Sequence, residues 1–248
     1  MTLTTAPERR DWSVLSRRLS EALHLAVAPV GITFAAGMPS GVAPFGGEMS
    51  APTDDGRSGR VPAGCVFWVH GATRTFSTEP EDHGNCSVGR YTHGLASLDE
   101  VAGNSDVEAL LESGWVSPEA VGKIPSISVR PGSITYGPLA DTPESLDPDV
   151  VLLRVNGRQL MVLSDALPGL RIEGKPQCHI VAIAKEQRVP AASVGCALSR
   201  ARTAMTPDEM TCALPTGDLE RIVTDIEKTA QTDTVVARYA ANDARRFS

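Results

Sequence analysis

The chain has 248 residues, 42% of them hydrophobic and 21% charged, with a net charge of −7, the make-up of a globular protein with enough chain for one large domain or two small ones. A pI near 5.3 argues against a nucleic-acid footprint, which needs a basic patch, and no apolar run reaches the roughly 18 residues of a membrane span. Met1 to Arg10 lacks the apolar core of a secretory signal, so the cytoplasm is the expected compartment, with neither a membrane nor a nucleic acid as partner.

In chain order, residues 11–26 predict an amphipathic helix: Trp12, Leu15, Leu19, Leu23 and Ala26 repeat at helical spacing, with Pro29 as the stop. Val30 to Phe34 predicts a buried strand, and residues 37–60, rich in Gly, Pro, Ser and Asp, a long loop. Cys65 to Val69 predicts a second strand that continues as a hairpin through Thr73 to Thr78. A helix or a Gly-shaped loop is expected over His83 to Leu95. Ser105 is the expected N-cap of a helix over 105–113, and Ser117-Pro118-Glu119 starts another. Residues 126–136 predict a strand–turn–strand. Asp149 to Val155, continuously apolar, predicts a strand buried on both faces, followed by a helix from Arg158 to Leu167. Cys178 to Ala184 fits a strand or a helix. Thr206-Pro-Asp-Glu209 carries the pattern of a capping box, which predicts a helix holding Cys212 as a packing residue. A longer helix follows Asp218, and residues 232–246 predict a last one. The expected fold is α+β, loosely α/β: one domain over 1–248 with a mixed sheet, an internal pseudo-repeat, and flexible ends at 1–10 and 240–248.

The chemistry is concentrated in residues 65–94. Two of the five cysteines and three of the five histidines lie there: Cys65-Val-Phe-Trp-Val-His70, then Asp82-His83-Gly84-Asn85-Cys86-Ser87-Val88-Gly89-Arg90-Tyr91-Thr92-His93. A thinner echo follows in Cys178-His179 and Ser193-Val194-Gly195-Cys196. In both places a Cys opens an apolar run and a second Cys returns beside a Ser-Val-Gly tripeptide, so the two pairs are expected to converge. An odd, widely spaced set of cysteines in a reducing compartment suits metal ligands or reactive thiols better than a disulfide framework. A chain of this length folds without a metal staple, so a metal would serve function.

Soft thiolates favour iron–sulfur clusters and zinc. Cys65, Cys86, Cys178 and Cys196 would complete a [4Fe-4S] cluster or a tetrahedral zinc site. His83, Asn85, Arg90 and His93 are the candidate catalytic residues around a small-molecule substrate or ligand. His83 and Cys86, three apart, would share a helix face. Arg200 and Arg202 follow Cys196 and could face an anion or a thiolate. No P-loop, dinucleotide-binding, zincin or nucleophile-elbow motif is present.

Several stretches resemble the ArCR family, domain of unknown function 169. They are Pro29-Val-Gly-Ile-Thr-Phe34, Cys65-Val-Phe-Trp68, Asp82-His-Gly-Asn-Cys86-Ser-Val-Gly89 with Thr92-His-Gly-Leu95, Tyr136-Gly-Pro-Leu139, Pro148-Asp-Val-Val151, Cys178, Ser193-Val-Gly-Cys196 with Arg200, and Asp208-Glu209 with Leu214-Pro215. The resemblance implies one continuous domain with Cys65, Cys86, Cys178 and Cys196 as its characteristic thiols; it supplies no reaction. Three functional expectations stand together. The first is a [4Fe-4S] enzyme acting on a small molecule by redox, sulfur-transfer or Lewis-acid chemistry. The second is a metal-free thiol enzyme with Cys86 as nucleophile, His83 as base and Asp82 orienting it. The third is a metal- or haem-binding sensor without turnover.

Overall fold

The computed structural model describes residues 10–46, 63–203 and 205–246. Helix α1 (Trp12–Leu23) forms as its periodicity predicts, with Trp12, Leu15, Leu19 and Leu23 buried. The Asp11 carboxylate accepts the N–H groups of Ser13 and Val14, both at 3.1 Å, supplying partners that the first turn lacks. His24, in the left-handed region at φ 51°, ends the helix before Pro29 is reached.

Among the described residues seven strands follow: β1 (Val30–Ala35), β2 (Phe76–Thr78), β3 (Ser133–Pro138), β4 (Val150–Val155), β5 (Arg171–Glu173), β6 (Ala191–Ser193) and β7 (Met210–Pro215). They form one sheet in the order β2-β3-β1-β4-β7-β6-β5. Among these described strands only β5 and β6 run parallel; every other neighbouring pair is antiparallel. The remaining helices are α2 (Gly64–Gly71), α3 (Ser87–Thr92), α4 (Leu98–Ala102), α5 (Ser105–Glu112), α6 (Pro118–Val121), α7 (Gly157–Ala166), α8 (His179–Ala182), α9 (Ala197–Thr203) and α10 (Leu219–Ala244). The fold is α+β in a single domain.

Side chains alternate across the sheet. In β4, Val151, Leu153 and Val155 meet α1, α7 and α10 on one face. Val150 and Leu152 meet α2 and α8 on the other. Both faces are covered, which is why this strand reads as a continuous apolar run.

The sheet carries the expected internal repeat as a pseudo-two-fold. β1 and β4 pair as Val30↔Leu152, Gly31↔Val151 and Ile32↔Val150, so exchanging the two strands maps the pairing onto itself. On one side Val30 opposes Pro138 of β3, and on the other Val150 opposes Pro215 of β7. The next strands out keep the correspondence: Phe76↔Tyr136 through Thr78↔Ile134 matches Ala191↔Ala213 through Ser193↔Thr211. β5 is an addition at the second half's edge.

Several local expectations are corrected. Cys65 to Val69 is helical, within α2, because a helix buried against a sheet has no polar face to betray its period; Phe67 and Trp68 are almost fully buried, worth about 1.5–3 kcal/mol each. The expected hairpin is absent: β2 pairs with β3 instead. The stretch 126–136 supplies one strand, β3, which begins only at Ser133. Asn104, rather than Ser105, caps α5. Thr206 to Glu209 is a turn leading into β7, so Cys212 lies in a strand and not a helix. Glu209 does accept the Thr206 N–H at 3.3 Å, but its carboxylate is also paired with Arg154 of β4, and that pairing goes with a strand. α10 runs unbroken through the expected last helix to Ala244, inside the stretch expected to be a flexible end. The long loop over 37–60 falls mostly outside the described residues.

Candidate functional site

The four cysteines singled out by the sequence line one small cavity of about 30 Å³. They reach it from four separate segments, two in each half of the pseudo-repeat. Cys65 sits in the first turn of α2, between β1 and β2; Cys178 is the N-cap of α8, after β4 and before β6. Cys86 is the N-cap of α3 after β2, and Cys196 immediately precedes α9 after β6. These last two are held alike. The Cys86 sulfur accepts the N–H of Gly89 at 3.4 Å, and the Cys196 sulfur accepts the N–H of Ser199 at 3.3 Å. Gly195, at φ +95°, makes the turn that carries the chain from β6 into Cys196; a Cβ there would stand 3.1 Å from Arg200 Nε and in a backbone region that L-residues avoid. The cysteines occupy matching places in the two halves, whereas the Ser-Val-Gly tripeptides do not: one opens α3 and the other closes β6.

All five cysteines are free. Burial, then the charge of Cys86, pushes the Cys65 thiol up to about 12. Burial raises Cys86 as well, against the opposing pull of the Arg202 guanidinium. Burial, then the charge of Cys86, raises Cys178 well above the ordinary thiol range, with the Thr92 hydroxyl opposing. Thiols crowded in an apolar wall resist becoming anions unless a cation or metal joins them. Cys212 is buried on the opposite face of the sheet, among the residues under α1 and α10.

Arg202 is the cation at the cavity. Its positive charge acts on Cys86, its Nη2 donates to the Asn85 carbonyl at 2.8 Å, and its Nη1 is buried without a partner. Burial acts to lower its pKa, but the charges of Cys86, Cys65 and Cys196 outweigh that and raise it. Gln177, also lining the cavity, is buried; its Nε2 donates to Thr211 Oγ1 at 3.0 Å and its Oε1 accepts from Ser199 Oγ. It ties α9 to β7 behind Cys178. Gln177 carried no signal in the sequence. Arg202 carried one, its place six residues after Cys196.

The other expected site residues are spread around this cavity. Asn85 contributes its backbone carbonyl to Arg202. His83 and His93 lie beside one another in the core, ring centroids 6.1 Å apart, and neither lines the cavity. His83 and Cys86 do not share a helix face, because a 3-10 turn ends at His83 and α3 begins after Cys86. The Asp82 carboxylate accepts the Glu79 N–H at 2.9 Å and so caps that turn. Arg90, on α3, has a buried Nε without a partner. Arg200 is structural, donating to the carbonyls of Val194, Thr206 and Glu209 at 2.5, 2.8 and 2.9 Å. His70, in the last turn of α2, stands against Phe45, and His179 faces the Glu173 carboxylate at 3.5 Å.

The family model described as Uncharacterised ArCR, domain of unknown function 169, matches residues 18–225. The chain belongs to the ArCR family. No curated protein and no solved structure matches it. The match to this ArCR protein takes in all four cavity cysteines and both halves of the pseudo-repeat. Among the described residues, no group of three or more His, Cys, Asp or Glu side chains is gathered tightly enough to hold a single metal ion. The four thiols stand around a cavity, not around a point. No helix among the described residues is long and apolar enough to cross a membrane.

Proposed function

We propose that this ArCR protein is a cysteine-ligated iron–sulfur protein, its four cavity thiols holding a [4Fe-4S] cluster, and that it acts on a small molecule. The observation that carries the reading is the meeting of Cys65, Cys86, Cys178 and Cys196 at one cavity, two from each half of a pseudo-symmetric sheet.

The donor set fits the group. Among the described residues, four cysteines and no His, Asp or Glu line the cavity, and four thiolates are the usual holders of such a cluster. A tetrahedral zinc would draw its sulfurs to about 3.8 Å from one another, given Zn–S bonds near 2.3 Å. A polynuclear cluster places them farther apart, which suits thiols that surround a space. Arg202, whose charge acts on Cys86 and which has one nitrogen still free of partners, would offset part of the charge of four thiolates. When bound, the cluster would supply electron transfer, Lewis acidity or labile sulfide. Around it the protein's own residues exclude water with apolar walls, fix Cys86 and Cys196 through the N–H groups of Gly89 and Ser199, and hold Arg202 in place through Asn85.

One observation favours a second reading, a metal-free thiol enzyme: the Arg202 guanidinium beside Cys86 would stabilise a nucleophilic thiolate. Its expected base and orienting group are otherwise engaged, His83 with Thr78 and Asp82 with Glu79, so Arg202 alone would have to activate the thiol.

Iron and acid-labile sulfide measured on protein purified without oxygen test the proposal. About four of each per chain, lost on changing any one of the four cysteines to Ser, is the expected result. A protein that takes up neither iron nor sulfide on anaerobic reconstitution, and in which Cys86 alone is alkylated rapidly, would replace the cluster by the thiol enzyme.

A further inference from the structure

Helix α10 carries two apolar stripes, and the domain covers one of them. On the inner stripe, Leu219, Ile222, Val223 and Ile226 are buried against α1 and α7. At 3.6 residues per turn, nine residues make two and a half turns, so Val235, nine after Ile226, points to the opposite side. There Val235, Val236 and Tyr239 are 64%, 57% and 68% exposed. The other exposed large hydrophobics among the described residues, Met38, Val129, Met161, Ile172 and Val194, stand singly along the chain. Single exposed apolar residues are ordinary, whereas a cluster marks a contact surface.

This end of α10 is not needed to build the domain. The family match stops at residue 225. Asp233 is held by Arg158 of α7 at 3.2 Å. Past it the helix runs on to Ala244, and among the described residues it places no side chain in either core cluster. Helices in proteins draw most of their stability from packing an apolar face, and a few unsupported turns are marginal in water. An apolar stripe on such an end calls for a partner from outside the domain.

The charges identify that partner. Over residues 225–233 the charged side chains are Asp225, Glu227, Lys228 and Asp233; over 234–246 they are Arg238, Asp243, Arg245 and Arg246. The first stretch is acidic and the second basic. An identical helix laid antiparallel therefore sets unlike charges together, and one laid parallel sets like with like. The match holds residue by residue. Lys228, Thr232, Val235, Tyr239 and Arg246 follow one line along the outer face, at steps of three, four and seven residues, with Asp225, Val236 and Asp243 beside it. A two-fold axis between Val235 and Val236 puts each of these valines opposite the other, Thr232 opposite Tyr239, Lys228 opposite Asp243 and Arg246 opposite Asp225. Within one chain, Asp225 and Asp243 make surface pairs with Arg221 at 3.4 Å and Arg246 at 3.5 Å, contacts that contribute little. We propose that the outer face of α10 is the docking surface for a second copy of this chain, the two helices lying antiparallel about Val235 and Val236. The inference is independent of what the cavity thiols bind.

Sedimentation equilibrium of the full chain tests this. The expected mass is twice the 26.2 kDa of one chain, with salt favouring dissociation because exposed charge pairs are screened. Val235→Glu buries an unpaired carboxylate at the centre of the contact and is expected to weaken association about tenfold or more. Its near-ultraviolet circular dichroism is expected to match that of the unaltered chain, since the side chain it replaces is exposed. Lys228→Asp sets two acids face to face and is expected to weaken association severalfold. Adding Asp243→Lys to it is expected to restore the dimer, a result that only a second copy in this register gives. A chain that stays a monomer at about 100 μM, where even a weak pair associates, would overturn the proposal and leave the face to a different protein. A dimer untouched by Val235→Glu, or one that the double exchange fails to restore, would overturn it as well.

Discussion

The two halves of the sheet share a backbone frame and fill it differently. In the first, the frame carries Phe76, Tyr136, Ile134 and Thr78, and the overlying α2 adds Phe67 and Trp68. In the second, the equivalent places are Ala191, Ala213, Thr211 and Ser193. There the volume is taken by Ile180, Val181, Ile183 and Ala184, from α8 and the π-helical turn over Ile183–Gln187 that continues it. One half is aromatic, with imidazoles and unpaired polar atoms; the other is small-residue and aliphatic. The symmetric part builds the thiol cavity, and the asymmetric part decides which half carries the polar rings.

The largest effect that would sharpen this comparison is on metal content. Cys65→Ser, Cys86→Ser, Cys178→Ser and Cys196→Ser are each expected to abolish cluster retention, as read by iron and sulfide content, because matched positions in both halves contribute alike. If only the first pair mattered, the symmetry would be a feature of the fold without a role in the site.

Packing comes next. Tyr136→Ala is expected to cost about 3–5 kcal/mol in urea unfolding, as for other large buried aromatic truncations. Its counterpart Ala213→Val is expected to cost about 1–3 kcal/mol by overpacking. Equal and small costs would mean that the two fillings are interchangeable.

Titration separates the halves further. A ring held neutral at His93, with a folded pKa of about 4 against 6.5 when unfolded, leaves the unfolded chain the greater proton binder between those values. Stability is therefore whole above about pH 6.5 and declines as the pH falls toward 4, by on the order of 3 kcal/mol for this ring. His83 and His179 are lowered too and add to the trend. In His93→Gln, the difference in unfolding free energy between about pH 7 and about pH 5 is expected to shrink.

The smallest effect is on the other face. Cys212→Ser is expected to lose about 1–3 kcal/mol from a buried hydroxyl without a good partner, while iron content stays at the level of the unaltered chain. Loss of iron there would mean that the site reaches through the sheet.

The sequence exposed those parts of this molecule whose burial is one-sided or whose residues are chemically rare. α1 and the start of α10 show their apolar stripes, and β4 its unbroken run. The four cysteines were legible through their echo, because soft ligands at matched places stand out from an aliphatic background. Segments buried on all sides were not legible. Cys65 to Val69, an unbroken apolar run, predicts a strand, whereas packed on the sheet it is a helix. Thr206 to Glu209 holds the letters of a capping box, but Glu209 reaches across to Arg154 and the chain extends into β7. The unpaired polar ends of Tyr136 and Trp68 gave no signal in the sequence, because only the surrounding geometry reveals them. The pairing of His83 with Cys86 failed for a similar reason, since three residues of separation mean one face only within a continuous helix.

The central β1–β4 ladder has a consequence for how the protein matures. It joins Val30 to Leu152 and Ile32 to Val150, so each half must wait for the other before the middle of the sheet closes. Contacts so distant along the chain form late and slowly. Until they form, Cys65 and Cys86 would be separated from Cys178 and Cys196 and open to oxidants and stray metals. A newly made chain would thus be most vulnerable in the interval before docking, and its thiols would be shielded together when the ladder closes.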